Sequence, residues 1–233
     1  MGAVPWTVIR NQSRLKSLSS LSIIDTKPEQ VYDDLANLAR LICNTPVANV
    51  CFVTEDRQWF KAFVGNEVQE TPVTQSVCAH AISEDSILVI NDLRNDSRTN
   101  FNTLVTGDSH LRFYAGVPLR LDDGFGGGTL CVLDTKPHPD GLSLAQIEAL
   151  KALGRQATSQ LQTRRILMGR SEEVMERLSS GDPLEDITNS FIKAYNINKS
   201  YKDEVLNRLI SGGLIHIAKH ISERNVKRSD VFH

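Results

Sequence analysis

The chain has 233 residues, 40% of them hydrophobic and 23% charged, a globular balance that excludes a collagen-like, low-complexity or wholly disordered protein. Its formal net charge of −2 excludes a global electrostatic attraction to nucleic acid or to an anionic membrane surface. No apolar run approaches the roughly 18 residues of a membrane helix. The polar start from Met1 to Lys16 lacks the apolar stretch and cleavage site of a signal peptide, so a cytoplasmic protein with no membrane partner is expected.

Residues 1–17 read as a polar lead-in. From Pro28 to Cys43, Val31, Leu35, Leu38, Ala39 and Ile42 recur at helical spacing, with Asp25 or Thr26 as N-cap and Thr45-Pro46 as the stop. Val47 to Thr54 and Gln58 to Val64 are β-branched and aromatic runs around Glu55-Asp56-Arg57, a predicted hairpin. Gly65 to Pro72 reads as polar loop, Val73 to Ile82 as a short helix start, and Ile87 to Ile90 as a compact strand. Asn91 to His110 is dominated by Asn, Asp, Ser, Thr and Arg, with Phe101, Leu104 and Val105 as apolar anchors. That composition predicts a lid or binding loop with short helical turns. Phe113 to Leu121 and Gly127 to Asp134 form a second strand pair. A long helix follows over Leu142 to Arg165, marked by Ile147, Leu150, Leu153, Ala157 and Leu161.

Antiparallel hairpins between helices at both ends predict an α+β domain over residues 18–168, with a central antiparallel sheet flanked by helices. Residues 169–233 differ in character and read as a small all-α module. Asp182 and Pro183 open a helix with Leu184, Ile187, Phe191, Ile192 and Tyr195 on one face, and a further helix runs to Ser211-Gly212-Gly213. Three short helices are too few for a large core and are expected to pack on the first domain or on a second copy. The module is also too short for a kinase or cyclase, so any signal is expected to leave through contacts.

Cys43, Cys51, Cys78 and Cys131 form no Cys-x-x-Cys pair and fit no compact zinc-ligand spacing. A disulfide framework is not expected in a cytosolic chain, which leaves free, mostly buried thiols.

Five phrases recur in order: Asp56-Arg57-Gln58-Trp59-Phe60-Lys61, Glu70-Thr71-Pro72, Ser76-Val77-Cys78-Ala79-His80-Ala81-Ile82, Arg112-Phe113-Tyr114-Ala115-Gly116-Val117-Pro118-Leu119 and Gly128-Thr129-Leu130-Cys131-Val132-Leu133-Asp134. Over residues 18–165 this set resembles a bacterial subgroup of GAF domains. Val77 stands where that pattern usually has Phe, and Thr103 where it usually has Pro. The resemblance implies an antiparallel sheet with helices across one face and a small-molecule pocket beneath loops on the other. In this subgroup the domain usually precedes a signalling output such as a histidine kinase or a cyclic-dinucleotide enzyme.

Candidate ligand-binding residues are Cys78, His80, Asp92, Arg112, Tyr114 and Asp134. Cys78 and His80 suit a redox- or ligand-responsive thiol beside an imidazole, and equally a structural thiol with a backbone-bonded histidine. No further ligands accompany them at metal-binding spacing. Asp92, Asp96, Arg98 and Asn100 on the long loop, with Arg112 and Tyr114, suit a polar or anionic small ligand; they would equally pin the loop to the sheet. Trp59 and Phe60 read as core and dimer-facing aromatics.

Two rival readings stay open. One GAF branch reduces free methionine sulfoxide, and its Val-Cys pair resembles Val77-Cys78, but its second cysteine is absent from His110 to Tyr114. The tail loosely resembles a LuxR-type helix-turn-helix, in which Lys219, Arg224, Lys227 and Arg228 would contact DNA phosphates. The bilin-attachment and cyclic-nucleotide signatures of GAF domains are absent, and the residues identify no cofactor. The expectation is a sensory or regulatory protein and not an enzyme. A small molecule or redox change would act through the long helix and the C-terminal helices on a signalling partner or within a homodimer.

Overall fold

The computed structural model describes residues 4–65, 67–121 and 123–180, with side chains to Ile166, and residues 190, 192–194, 196–198 and 210–213. The chain divides into two compact units, Met1–Ile166 and Leu167–His233. In the second unit the described residues are helical. Lys219, Arg224, Lys227 and Arg228, and with them the helix-turn-helix reading, lie outside the described residues.

The stretch expected as a lead-in carries two helices, α1 (Trp6–Ile9) and α2 (Gln12–Ser19), the second capped by the Asn11 side chain, which accepts from the Arg14 amide at 3.0 Å. Arg14 is fully buried, and among the described residues no carboxylate pairs with it. Its guanidinium donates instead to three carbonyls, those of Val8 (3.1 Å), Ile9 (2.8 Å) and Val53 (2.7 Å). Burial lowers its pKa to about 10.

Helix α3 (Gln30–Cys43) starts later than its apolar periodicity implies, with Glu29 as N-cap and Asn44 left-handed at its end. The residues expected to cap it are engaged elsewhere. Asp25 pairs with Arg57 at 2.7 Å, and the Thr26 hydroxyl donates to the Ile23 carbonyl at 2.6 Å.

Next come β1 (Val47–Val53), β2 (Arg57–Val64) and β3 (Glu70–Pro72). β3 lies inside the expected polar loop, because Arg57 on β2 pairs with Glu70 and draws that segment onto the sheet edge. A 3₁₀ turn (Val73–Gln75), α4 (Cys78–Ala81), β4 (Leu88–Ile90) and α5 (Thr103–Thr106) follow, then β5 (Phe113–Arg120), β6 (Gly126–Asp134) and α6 (Leu144–Ser180). Ser143 and Gln146 cap α6 reciprocally, each side chain accepting from the other's amide, at 3.3 and 2.9 Å.

The six strands form one antiparallel sheet in the order β3-β2-β1-β6-β5-β4. The α+β expectation of a central antiparallel sheet flanked by helices is borne out. Strand alternation divides its side chains between two cores. Ala48, Val50 and Phe52 face Tyr32, Leu35 and Ala39 of α3, together with Leu150, Ala157 and Leu161 of α6. The apolar stripe of α6 thus packs into the core. Leu38 and Ile42, expected on the apolar side of α3, are exposed. Cys51, Val53 and Phe60 face the other way, toward Ile9, Val77 and Ala81. Trp59 and Phe60 are both buried, each in a different core.

A bulge opposite Val50/Cys51 leaves Lys61 as the extra residue on β2 and turns it toward the α3 start. Its buried ammonium pairs with Glu29 at 2.6 Å and donates to the Thr26 hydroxyl and the Lys27 carbonyl. Arg164 of α6 meets the same carboxylate at 2.9 Å and donates to the carbonyls of Leu21 and Ser22. Glu29 therefore joins sheet, α3 and α6 in one charged cluster. Among the described residues no helix is long and apolar enough to cross a membrane.

Candidate functional site

On the sheet face opposite α3, a cavity of about 250 Å³ opens between the strands and the segments that cover them. Its floor comes from all four central strands: Asn49 of β1, Gln58 and Phe60 of β2, Tyr114 of β5, and Cys131 and Leu133 of β6. Val77, Cys78, Leu104 and Leu111 close it from above. The lining is mostly apolar with a few placed polar groups, the character of a small-molecule site. Thr71 at its edge has a buried hydroxyl oxygen with no hydrogen-bond partner among the described residues.

The covering segment is held by its own turn chemistry. Asn102 caps α5 by accepting from the Leu104 amide at 2.9 Å, and its amide group donates to the Gln75 carbonyl at 2.9 Å. Thr99, fully buried, donates to the Leu93 carbonyl at 2.6 Å. Ser76 accepts from the Ala79 amide at 3.0 Å and bonds to Gln58 on the sheet.

Where the covering segment meets the sheet, three thiols converge, and those of Cys78 and Cys131 line the cavity. The sulfurs of Cys51, Cys78 and Cys131 all lie within 4.8 Å of one another, Cys78 and Cys131 at 3.7 Å. The Tyr114 hydroxyl donates to Cys78 Sγ at 3.3 Å, and Thr129 Oγ1 lies 3.2 Å from Cys51 Sγ. A Cβ on Gly116 would collide with the Tyr114 hydroxyl, so only glycine leaves room for that ring.

Electrostatically the three thiols are unequal. Burial raises the Cys51 pKa well above the ordinary thiol, and the hydrogen bonds with Cys51 and Cys78, followed by burial, do the same for Cys131. For Cys78 burial is outweighed by hydrogen bonds from Cys131, Cys51, Thr129 and Tyr114, which hold it well below the ordinary value. The burial of Tyr114, reinforced by the thiol charge, raises its own pKa.

Of the six residues expected to bind ligand, the structure brings Cys78 and Tyr114 together at the cavity, while the other four are absent from its lining. Asp92 and Arg112 pair at 3.3 Å, and Asp92 also accepts from the Arg94 amide. Asp96 binds Arg98 through both oxygens, at 2.9 and 2.6 Å. The Asp92–Arg112 pair ties the long loop to the start of β5, while the Asp96–Arg98 bonds stay within the loop. Asp134 bonds to His138 at 2.9 Å, and the His138 ring stacks on Phe113 at 4.0 Å. His80 is partly buried; burial, then repulsion from Arg98, lowers its pKa.

Sequence spacing offered Cys78 no further ligands, whereas the sheet delivers two more thiols. The signal was present but weak. Cys51 and Cys131 sit on strands with matching alternation, and they become diagonal neighbours once β1 pairs with β6 with Asn49 opposite Cys131.

A family model described as GAF domain matches residues 27–161. A cyclic di-GMP phosphodiesterase of Pseudomonas aeruginosa is 32% identical over 126 residues, which is 54% of this chain and 22% of that relative. The chain therefore spans about a fifth of the length of the curated relative it matches. Solved structures with a similar fold include the GAF domain of an Acinetobacter phosphoenolpyruvate-protein phosphotransferase (15% identity, TM-score 0.47, covering 67% of this chain and 98% of that one). The free methionine-R-sulfoxide reductase of Neisseria meningitidis is another (16% identity, TM-score 0.48, covering 66% and 91%). The expectation that the protein is not an enzyme is corrected by the phosphodiesterase match, which puts an enzyme among its relatives. The family model covers more than half of the chain, which therefore belongs to the GAF domain family, the sensor domains of signalling proteins.

Proposed function

We propose that residues 18–168 bind a small molecule in the cavity above the sheet and that binding controls a signalling output. The observation that carries this reading is the cavity itself, mostly apolar and backed by Cys78, Tyr114 and the Thr71 hydroxyl, which has no partner among the described residues. Its size suits a compact metabolite, not a cyclic dinucleotide. The relative's activity supports cyclic di-GMP turnover as the kind of signalling the domain serves. Occupancy would shift the segment from Asn91 to His110 and, through the sheet, α6, whose first turns pack on β5 and β6 residues such as Val117 and Leu130. The exposed Leu38, Leu41 and Ile42 on α3 support a homodimer face.

Native mass spectrometry of the gently purified chain tests the reading, backed by a thermal-shift panel of metabolites. A bound species, or a ligand that raises Tm, is expected. Val77→Phe, which fills the cavity roof, should weaken that ligand at least about tenfold, roughly 1.4 kcal/mol. A ligand whose binding is unaffected by Val77→Phe would refute this site.

A further inference from the structure

We propose that Cys51, Cys78 and Cys131 form a trithiolate site for a zinc ion, with the fourth coordination position open to the cavity. The inference deepens the reading of the cavity as the sensory pocket and rests on it for its consequence, since a metal there would place a Lewis-acidic centre against any bound ligand. Coordination itself needs only the three sulfurs.

The geometry is close to what zinc requires. With Zn–S bonds of about 2.3 Å, two sulfurs of a tetrahedral site stand about 3.8 Å apart, whereas a flat three-coordinate site needs about 4.0 Å. Cys78 and Cys131 already stand at 3.7 Å, and no pair of the three exceeds 4.8 Å. Rotamer adjustment of Cys51 closes the remaining gap. Among the described residues no histidine or carboxylate joins the cluster, so its donors are all soft, a set that selects zinc over magnesium or calcium.

The surroundings suit thiolates. Zinc with three thiolates carries a net charge of −1 in a buried place, which needs donors around the sulfurs. Tyr114 supplies one to Cys78 and Thr129 one to Cys51. Cys78 and Cys131 both line the cavity, which provides the entry path and leaves the open position facing the space where a small ligand would sit. On binding, each thiol releases its proton to solvent and forms a metal–sulfur bond; no electron moves.

Cobalt(II) titration of the reduced, metal-free full chain tests the site. One equivalent should produce thiolate-to-cobalt charge-transfer absorption, and one equivalent of Zn²⁺ should remove it. Cys43→Ser, on the opposite face, should leave the spectrum unchanged, and Cys78→Ser should abolish it. Tyr114→Phe should weaken Zn²⁺ binding about 10- to 100-fold. Because serine at a buried position can unfold the domain, X-ray absorption of the unaltered zinc-loaded chain gives an independent count, expected at three sulfurs and one lighter ligand. Absence of the cobalt absorption with the thiols reduced, or a zinc shell of nitrogen and oxygen alone, overturns the proposal. A metabolite bound by a chain that takes up no cobalt also overturns it, while leaving the sensor reading intact. Cobalt uptake without any metabolite response supports the metal site and counts against that reading alone.

Discussion

The Tyr114 hydroxyl occupies the space that a side chain on Gly116 would need. Both lie on β5, two residues apart and on the same face, so the ring folds back along its own strand and its hydroxyl reaches Cys78 on α4. A single glycine thus sets the chemistry of a thiol on another element. Gly116→Ala should cost about 1–3 kcal/mol by overpacking, read from urea unfolding, and should expel the phenol from Cys78. Tyr114→Phe keeps the packing and should cost about 1 kcal/mol. Both should move the alkylation–pH profile of Cys78 upward, because a donor to the thiolate is gone. An unchanged profile would show that the hydroxyl does not govern the thiol.

Arg14, itself fully buried, ties α1, α2 and the end of β1 together through the carbonyls of Val8, Ile9 and Val53. Arg14→Met retains much of the stem and removes every donor. The expected loss is about 2–4 kcal/mol in urea unfolding, from charged hydrogen bonds and the stranded carbonyls. A loss within 0.5 kcal/mol would mean that the N-terminal helices contribute little to the domain.

Glu29 is the acid-sensitive joint between sheet and α6. Burial tends to raise its pKa, but the Lys61 hydrogen bond and charge, with Arg164 beside it, leave it lowered. Its folded pKa lies below its unfolded one, so its contribution is complete above the unfolded value and is lost as pH falls through the folded value. Glu29→Gln should lower stability at pH 7 and flatten the acid limb of the stability–pH curve. Parallel acid limbs for the two proteins would contradict this account.

His80 works in the same direction by another route. Burial and Arg98 disfavour its protonated form, so the unfolded chain takes up a proton at a higher pH than the folded one. Stability is complete above the unfolded histidine pKa and declines as pH falls through the depressed folded value. His80→Gln should remove that decline, seen as a smaller drop in Tm between pH 7 and pH 5. The His80 proton resonance, followed by NMR, should titrate below the ordinary histidine range.

Local pattern carried far for this chain and stopped at definite places. The strands Val47–Val53, Phe113–Arg120 and Gly126–Asp134 were legible because each is a run of β-branched, aromatic and small residues between turn residues. β3 was not, because Glu70-Thr71-Pro72 has no strand propensity of its own and is recruited by Arg57. The N-cap of α3 was misplaced because Asp25 and Thr26 had long-range partners that outbid a local one. Of the proposed ligand residues, Cys78 and Tyr114 reached the cavity, while Asp92, Arg112 and Asp134 were absorbed by ion pairs and turn hydrogen bonds. Polar residues on a long loop look alike in sequence whether they bind a ligand or their own backbone.

Length, composition and charge bounded the chain to a globular domain plus a smaller segment, and periodicity with ordered motifs carried it to an α+β domain of the GAF family. Those features depend on neighbours a few residues apart, so a linear reading recovers them. The meeting of Cys51, Cys78 and Cys131 depends on strand register, on a short helix laid across β6, and on the space above Gly116. Packing brings thiols remote in sequence within a few ångströms, and no spacing rule along the chain encodes that distance.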